Sequence, residues 1–351
     1  MEIECLYSAF LNATEISTDT RTLKKDALFF ALSGPNFDGN RFATEALEKG
    51  AQQVVVDDPK TLPNHPKILL VENTLTALQQ LATHHRKKLN TPIIALTGSN
   101  GKTTTKELIR EVLQKKFKVL ATSENLNNHI GVPLTLLQLT EQHKIGIIEM
   151  GANQLNEIRN LCEIALPNWG YITNFGKAHL EGFGSEAGVI QGKSELYKHL
   201  QQHQGQILIN GDDPKQLEQR KNHRVVQFGQ GKGSDFKIEY LPSDGNHLEL
   251  KFREFFFKSP LYGSYNFSNL AAAVSFGALF EVPIKDIQKA IAKYDSENNR
   301  SQKLSIQGLQ IILDAYNANP SSMEVALRAF AKNQTENNAV ILGDMLELGK
   351  Q

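Results

Sequence analysis

The sequence predicts an α/β protein whose central part is a parallel sheet carrying a phosphate-binding loop. Three observations support this. An apolar strand runs into a glycine loop and a helix, apolar strands alternate with helices along the middle of the chain, and polar residues follow the ends of those strands. Alternation of this kind is typical of parallel sheets with crossover connections. Ligands bind at the carboxyl edge of such sheets, so a ligand site is expected there.

The phosphate loop is the most informative motif. Ile93–Leu96 reads as a buried strand, Gly98–Gly101 as the loop, and a helix with one apolar face begins near Lys102. Backbone N–H groups at a helix N-terminus bind phosphate oxygens, and the helix dipole favours their charge. Lys102 would reach the terminal phosphates and the Thr103 hydroxyl would bind Mg²⁺. The general pattern has a glycine where Leu96 stands, so the match is incomplete. A solvated Gly-Lys-Thr turn, the alternative, would lack the flanking strand and amphipathic helix.

Composition excludes several other classes. The 351 residues suggest two or three domains, and lysine plus arginine (38) equals aspartate plus glutamate (38), so no basic surface for nucleic acid is indicated. The two cysteines form neither a metal motif nor a disulfide framework, which indicates reduced thiols in the cytoplasm. No apolar run has the length of a membrane span, and the N-terminus does not resemble a signal peptide.

Three segments are predicted: residues 1–85, 86–297 and 298–351. The first boundary follows from the polar stretch His84–Lys88, whose paired histidines are expected to be solvated. Strands are predicted over residues 27–32, 53–56, 93–96, 118–121, 145–149, 170–173, 206–209, 309–314 and 339–342. Helices are predicted over residues 42–49, around Leu75–Ala82, and over 321–332.

Polar residues that could carry chemistry lie just beyond strand ends. Glu149 ends a buried strand, where P-loop enzymes carry an acid that helps to hold Mg²⁺; it could instead cap a neighbouring loop. Asn174–His179 and Asp314 occupy comparable positions. Taken alone, His179 reads as a loop histidine and Lys193 as a surface cation of a helix, and their spacing does not decide otherwise.

The chain resembles the Mur ligases from about Ser17 to its last residues. The motifs that carry the resemblance are Thr97–Thr104, Asn125–Pro133, Glu149–Asn153, Ala178–Ser185, Tyr265–Asn269, Asp314–Pro320 and Gly343–Gly349. The string Asp-Ala-Tyr-Asn-Ala-Asn-Pro at 314–320 is similar to that of the member that adds D-alanyl-D-alanine. As a set these motifs are highly specific, whereas the phosphate loop alone is not.

The resemblance implies a three-domain architecture. Residues 1–85 would form an α/β UDP-sugar-binding domain, 86–297 the ATP-binding domain, and 298–351 the start of a Rossmann-like ligase domain. The last segment is shorter than a typical domain of about 100–150 residues. We therefore expect a fragment with an incomplete dipeptide site and poor activity by itself.

The resemblance also implies roles for individual residues. Catalytic roles fall to Lys102, His179, Lys193 and Arg300. ATP would be bound by Gly98, Ser99, Asn100, Gly101, Lys102, Thr103, Thr104, Asn266, Asn269, Arg300 and Asp314. The metal ligands would be Thr103, Glu149, His179 and Lys193 as its carbamate, an oxygen anion of the kind that Mg²⁺ prefers. Substrate would be bound by Ser17, Asp19, Thr20, Arg21, Asp38, Gly39, Asn40, Asn127, Asn128, Tyr316, Asn317 and Asn319; Asn40 stands where relatives often have histidine.

The implied activity is ATP-dependent amide ligation by a cytoplasmic monomer. The terminal carboxylate of a UDP-muramoyl tripeptide would form an acyl phosphate with ATP, and D-alanyl-D-alanine would displace the phosphate. Two other ligases are alternatives: a sibling that adds the third amino acid, and a folylpolyglutamate synthase-like enzyme. The 314–320 string argues against both. A P-loop kinase or nucleotide-binding regulator, from a different class, needs neither a carbamylated Lys193 nor a uridine-binding first domain.

Overall fold

The structure is a computed structural model that describes residues 1–221, 223–243, 247–332, 337–346 and 348. Its chain divides into two compact units. One comprises Met1–Thr91, Thr122–Glu141 and Glu163–Leu166; the other comprises Pro92–Ala121, Gln142–Cys162 and Pro167–Gln351. The predicted boundaries at residues 85/86 and 297/298 stay a prediction, since the division into two units does not test them.

Helices and strands alternate along the chain. The helices are α1 (Ile3–Asn12), α2 (Ala43–Glu48), α3 (Thr74–Leu89), α4 (Lys102–Leu113), α5 (Gly131–Leu136), α6 (Glu157–Ala165), α7 (Leu180–Phe183), α8 (Glu186–Lys193), α9 (Glu195–Gln202), α10 (Pro214–Gln219), α11 (Phe267–Leu279), α12 (Ile284–Lys293) and α13 (Pro320–Lys332). The strands are β1 (Ile16–Ser17), β2 (Leu28–Phe30), β3 (Ser33–Gly34), β4 (Phe37–Asp38), β5 (Gln53–Val56), β6 (Ile68–Leu70), β7 (Ile93–Thr97), β8 (Val119–Ala121), β9 (Ile145–Glu149), β10 (Trp169–Ile172), β11 (Gln206–Asn210), β12 (Val226–Gly229), β13 (Phe236–Leu241), β14 (Leu248–Phe252), β15 (Phe255–Ser259), β16 (Gln302–Ile306) and β17 (Leu309–Leu313). Short 3₁₀ helices cover Gly39–Phe42 and Ser264–Asn266.

The first unit contains a four-stranded parallel sheet in the order β1-β2-β5-β6. Strand β2 and residues Val54–Val56 of β5 are apolar and buried, as expected of parallel strands that are covered on both faces. Helix α2 packs against β5, and α3 packs against α1 and α5. The short hairpin β3–β4 lies outside this sheet and leads into the 3₁₀ turn at Gly39–Phe42.

The second unit contains a nine-stranded sheet in the order β15-β14-β13-β12-β11-β10-β7-β9-β8. Seven neighbouring strands are parallel, in the sheet order β8, β9, β7, β10, β11, β12 and β13. Strands β14 and β15 continue the sheet from β13 in antiparallel pairs. Helices α4, α11 and α12 pack together, and α4 and α11 contribute many of the apolar side chains of the core. The predicted α/β fold with parallel sheets is confirmed. The adjacency of β7, β9 and β10 brings the ends of the three strands that carry the candidate site to one edge.

Two predictions about local structure are wrong. The polar stretch His84–Lys88 is helical, because α3 continues to Leu89 and ends at Asn90 in the left-handed conformation (φ 50°). Its His85 is buried instead of solvated, with Nε2 2.9 Å from the Leu139 carbonyl oxygen and Nδ1 3.3 Å from the Tyr7 hydroxyl.

The predicted strand at residues 339–342 is also absent. These four residues have no regular structure, and Ile341 is 98% exposed. An apolar run forms a strand only when a neighbouring strand pairs with it, and none of the described residues does so. Two residues of the Gly343–Gly349 motif, Glu347 and Gly349, lie outside the described residues. No helix in the described part of the chain combines the length and apolar character that a membrane crossing requires.

Candidate active site

The phosphate loop lies between β7 and α4, as predicted. Gly98 and Gly101 have φ of 142° and 78°, values that favour glycine. Space is equally restrictive: a Cβ on Gly98 would lie 2.0 Å from Thr173 Oγ1, and one on Gly101 would lie 2.6 Å from Asn269 Oδ1. Helix α4 begins without a side-chain cap, so its first N–H groups stay available to an anion.

Lys102 turns back over this loop. Its Nζ donates to the Gly98 carbonyl oxygen at 2.8 Å. Burial lowers the pKa of Lys102 and nearby Arg300 lowers it further, while the charge of Glu149 opposes both. A cation close to the helix N-terminus is placed as a phosphate-binding lysine requires.

Glu149 ends β9, which pairs with β7, and its side chain is only 2% exposed. Lys106, one turn of α4 beyond Lys102, places Nζ 4.0 Å from Glu149 Oε2, and its side chain is 3% exposed. Burial lowers the pKa of Lys106, and the neighbouring Glu149 charge opposes that shift. Lys106 and Glu149 therefore form a buried ion pair beside the phosphate loop.

The donors at this edge suit a hard cation. Thr103 offers a hydroxyl and Glu149 a carboxylate, both of them oxygen ligands of the type that Mg²⁺ takes. Within the described ranges no three His, Cys, Asp or Glu side chains converge as a metal cluster. Mg²⁺ is usually held by one or two carboxylates together with waters and substrate phosphates.

Lys193, at the end of α8, is completely buried. Its Nζ donates to the Ala152 carbonyl oxygen at 3.0 Å and lies 5.1 Å from the centre of the Phe183 ring. Burial, and then the charge of Lys102, lower the pKa of Lys193 well below its usual range. It is therefore not the surface cation that spacing alone allowed, and its amine is pushed towards the neutral form.

His179 immediately precedes α7 and has φ of 53°, an uncommon conformation for a residue other than glycine. Its side chain is half-buried. Its metal-binding role stays a prediction.

The C-terminal segment of the second unit contacts the loop. Asn319 Nδ2 donates to Asn100 Oδ1 at 2.6 Å, and Asn319 Oδ1 accepts from the Ser322 N–H at 3.0 Å in the first turn of α13. The guanidinium of Arg300 lies 3.9 Å above the centre of the Tyr316 ring. Asp314 and Asn317 are exposed. The structure thus brings Asn319 into contact with the phosphate loop and Arg300 close enough to Lys102 to lower its pKa, while Asn317 is exposed.

Asn266 and Asn269 are buried behind the loop. Asn269 Oδ1 accepts from the Thr105 hydroxyl at 3.0 Å, and Asn269 Nδ2 donates to Asn266 Oδ1 at 2.8 Å. Asn266 Nδ2 in turn donates to the Tyr262 carbonyl oxygen at 2.9 Å. This chain of bonds joins α11 to α4. A direct contact of either amide with the nucleotide stays a prediction.

Several predicted substrate residues lie in the first unit. Ser17 and Asp19 line a pocket of 340 Å³, together with Glu15, Ile16, Thr18, Thr22, Lys24 and Leu134. Arg21 forms an ion pair with Asp19 at 2.6 Å, and hydrogen bonds from Arg21 lower the pKa of Asp19 to about 2. Thr20 is buried next to them.

The second predicted substrate motif is internally bonded. Asn40 is 8% exposed, and its Nδ2 donates to Asp57 Oδ1 at 2.8 Å and to Asp38 Oδ1 at 3.0 Å. A Cβ on Gly39 would lie 2.2 Å from the Leu32 carbonyl oxygen, so only glycine fits there.

Asn128 Oδ1 accepts from the N–H groups of Ile130 and Gly131 ahead of α5, and Asn127 is half-buried. Substrate contacts of these residues and of the Asn40 motif stay predictions.

Sequence reasoning noted Asn174 only as a polar residue beyond a strand end, and it assigned no role to Lys106, Thr173 or Ser321. Thr173 and Asn174 bond to the loop at Asn100, and Ser321 Oγ accepts from the Lys177 N–H at 2.7 Å. The spacing of four residues between Lys102 and Lys106 could have indicated a shared helix face. The others depend on strand register and on contacts across the chain.

Family models match most of the chain. They are the Mur ligase family catalytic domain over residues 12–86, the Mur ligase middle domain over 96–277, and the Mur ligase glutamate ligase domain over 299–351. The chain belongs to the Mur ligase family. This confirms the resemblance that the motifs indicated.

Two relatives of this Mur ligase carry the same name. A UDP-N-acetylmuramoyl-tripeptide–D-alanyl-D-alanine ligase of Bacillus subtilis is 37% identical over 341 residues, 95% of this chain and 74% of the relative. The ligase of the same name from Haemophilus influenzae is 35% identical over 345 residues, 96% of this chain and 75% of the relative.

Solved structures agree. MurF from Acinetobacter baumannii superposes with a TM-score of 0.87 at 32% identity, covering 99% of this chain and 80% of that one. MurF ligase from Thermotoga maritima in complex with ADP superposes with a TM-score of 0.81 at 27% identity, covering 97% of this chain and 79% of that one. A UDP-N-acetylmuramoyl-L-alanyl-D-glutamate–2,6-diaminopimelate ligase superposes with a TM-score of 0.59 at 17% identity, covering 92% of this chain and 71% of that one, which is a likeness in fold alone.

Proposed function

We propose that this Mur ligase is an ATP-dependent, ADP-forming ligase that joins D-alanyl-D-alanine to UDP-N-acetylmuramoyl-tripeptide. The observation that carries the proposal is the uncapped start of α4 beside Lys102, Glu149 and Lys193, in a chain 37% identical to a ligase of that name. The sibling ligase and kinase alternatives are not favoured by these relatives.

The reaction has two balanced steps. A carboxylate oxygen of the tripeptide attacks the γ-phosphorus of ATP, forming an acyl phosphate and releasing ADP. The amine of D-alanyl-D-alanine then attacks the acyl carbon, loses a proton and expels inorganic phosphate. Phosphoryl transfer depends mainly on positioning and charge stabilisation. Lys102 and the first N–H groups of α4 would hold the phosphates, and Arg300 would contribute a second positive charge.

Mg²⁺ would neutralise phosphate charge when bound, with Thr103 and Glu149 as oxygen ligands and His179 as a proposed nitrogen ligand. We also propose that Lys193 carries a carbamate. Its depressed pKa supports this, because a neutral Nζ can add to CO₂, forming an N–C bond and releasing a proton. The resulting anion is a better neighbour for a metal than an ammonium group.

Asn266, Asn269 and Asp314 are proposed to complete the ATP site, with Gly98–Thr104. The pocket lined by Ser17 and Asp19, with Thr20, Arg21, Asp38, Gly39 and Asn40, is proposed for the UDP-linked end of the substrate. Two further sets of residues are proposed to bind substrate: Asn127 and Asn128 in the first unit, and Tyr316, Asn317 and Asn319 in the second. We propose that the enzyme is located in the cytoplasm, where ATP and nucleotide-linked precursors occur, and that it is a monomer.

Omission of single substrates tests this proposal. ADP release should require the UDP-muramoyl tripeptide and D-alanyl-D-alanine together, and mass spectrometry should find the pentapeptide product. Glycyl-glycine and a free diamino acid serve as control acceptors. ADP release without an acceptor, or with the diamino acid alone, would overturn it.

The carbamate has its own test. Lys193→Ala should lose activity and regain part of it when a short carboxylate is added, and ¹³CO₂ should give a carbamate carbon resonance in the wild type. Absence of that resonance at neutral pH with Lys193→Ala fully active would contradict the modification.

A further inference from the structure

The loop that follows β10 lies directly beside the phosphate loop. Strand β10 pairs in parallel with β7, and the register matches Ile172 with Thr97, the last residue of each strand. The next residues therefore leave the sheet side by side. Thr173 comes so close to Gly98 that a Cβ there would meet its Oγ1 at 2.0 Å.

The side chain of Asn174 binds both backbone groups of Asn100. Its Oδ1 accepts from the Asn100 N–H at 3.0 Å, and its Nδ2 donates to the Asn100 carbonyl oxygen at 2.9 Å. The Asn174 backbone carbonyl also accepts from the Ser99 N–H at 3.1 Å. The Asn174 side-chain amide supplies one acceptor for the Asn100 N–H and one donor for the Asn100 carbonyl oxygen. This pairing fixes the orientation of the Asn174 amide.

These bonds decide which loop donors face a ligand. The Asn100 and Ser99 N–H groups both point at Asn174, so they are not donors to phosphate. Donors from Gly101 onward, at the start of α4, are left for that task. The bonds to Asn174 thus fix the loop backbone immediately before the N-terminus of α4.

We propose that Asn174 is a positioning residue for nucleotide binding: its amide holds the phosphate loop in the form that accepts the ATP phosphates. The inference rests on the proposed function, which makes this loop an ATP site. Asn174 lies half-buried at the sheet edge, outside the apolar core around α4 and α11. Removing it therefore perturbs the loop without opening a core cavity.

Asn174→Ala tests the proposal, with Asn210→Ala as a matched control. Asn210 ends the neighbouring strand β11, and its Oδ1 accepts from the Asp212 N–H at 3.0 Å within its own loop. Calorimetry with Mg·ADP, separate KM values for the three substrates, and hydrogen exchange of residues 98–101 are measured on the full chain.

Asn174→Ala should weaken ADP binding and raise the KM for ATP by about 10- to 100-fold, because small misplacements at a reacting group have effects of that size. The KM values for the other two substrates should not change, and the Asn100 N–H should exchange faster. Asn210→Ala should behave as the wild type.

A folded Asn174→Ala variant with wild-type ADP affinity would overturn the proposal. If that variant does not fold, Asn174→Asp replaces it, since aspartate keeps the acceptor for the Asn100 N–H, loses the donor to the Asn100 carbonyl oxygen and adds a negative charge beside the loop. Aspartate should also weaken ADP binding, and wild-type affinity there would be equally decisive against the role. Failure of the wild-type protein to bind Mg·ADP would instead refute the proposed function.

Discussion

Replacing Lys106 by methionine should destabilise the second unit. The Lys106 and Glu149 side chains are 3% and 2% exposed, with 4.0 Å between Nζ and Oε2. Two unit charges at that distance attract by about 4 kcal/mol at an effective dielectric constant of about 20. Burial costs Lys106 part of this gain, because its pKa is lowered chiefly by desolvation. Truncating one partner of a buried pair leaves the other charge under-compensated, which typically costs about 3–5 kcal/mol.

We therefore expect Lys106→Met to lower the free energy of unfolding by about 3 kcal/mol. For a unit of this size that corresponds to a fall in Tm of about 6–12 °C. Urea unfolding followed by circular dichroism measures the change in free energy, and a thermal melt measures the change in Tm. Lys289→Met is the control, because Lys289 pairs with Asp286 at an exposed site, where the loss should stay below about 1 kcal/mol.

The double variant Lys106→Met with Glu149→Gln separates charge from packing. It removes both charges while keeping the side-chain volumes, so it should recover most of the lost stability. The reasoning is refuted if the single variant is as stable as the wild type. A double variant less stable than Lys106→Met would refute it as well, because the loss would then come from packing.

Further predictions concern the site, pH and the first unit. Lys102→Ala and Thr103→Ala should abolish ATP-dependent ligation while the circular dichroism spectrum stays unchanged, because loop residues contribute little to the core; turnover near the wild-type rate would refute the phosphate-site assignment. Burial lowers the pKa of His199 to about 4, below its ordinary 6.5, so the folded state binds fewer protons than the unfolded state between these values. Stability should therefore fall as pH drops from about 6.5 towards 4, by up to about 1.4 kcal/mol per pH unit. His199→Gln should flatten that part of the urea-unfolding profile, and an unchanged slope would exclude His199 as its source. Asn40→Ala should lower the free energy of unfolding, measured by thermal denaturation, by about 1–3 kcal/mol, because it leaves the half-buried Asp57 without its Asn40 hydrogen bonds; a loss below about 0.5 kcal/mol would show that these bonds contribute little.

Much of the parallel sheet could be predicted because its strands are continuous apolar runs. The strand predicted over residues 93–96 is β7 (Ile93–Thr97) in the structure, and the strand predicted over residues 145–149 has the same bounds as β9. The antiparallel strands β13 to β15 were missed, since their alternating, half-exposed pattern is weaker in the sequence. Only the second strand of the hairpin β16–β17 was predicted. The turn Gln307-Gly308, whose residues have φ of 51° and 83°, could have indicated the hairpin.

The candidate site divides in the same way. Gly98, Lys102 and Thr103 were predictable because a phosphate loop is a local motif of neighbouring residues. The burial of Lys193 was not, because it depends on contacts with Ala152 and Phe183 made by folding. Asn174 reaches Asn100 only through the register between β7 and β10, which a single sequence does not specify.

Transfer of oxygen from substrate to phosphate tests the central claim most directly. The tripeptide is labelled with ¹⁸O in its terminal carboxylate and converted with ATP and D-alanyl-D-alanine, and the inorganic phosphate is analysed by mass spectrometry. An acyl phosphate predicts that each phosphate released carries a single labelled oxygen, because the attacking carboxylate oxygen leaves with phosphorus. Unlabelled phosphate formed together with the pentapeptide product would contradict the acyl-phosphate mechanism.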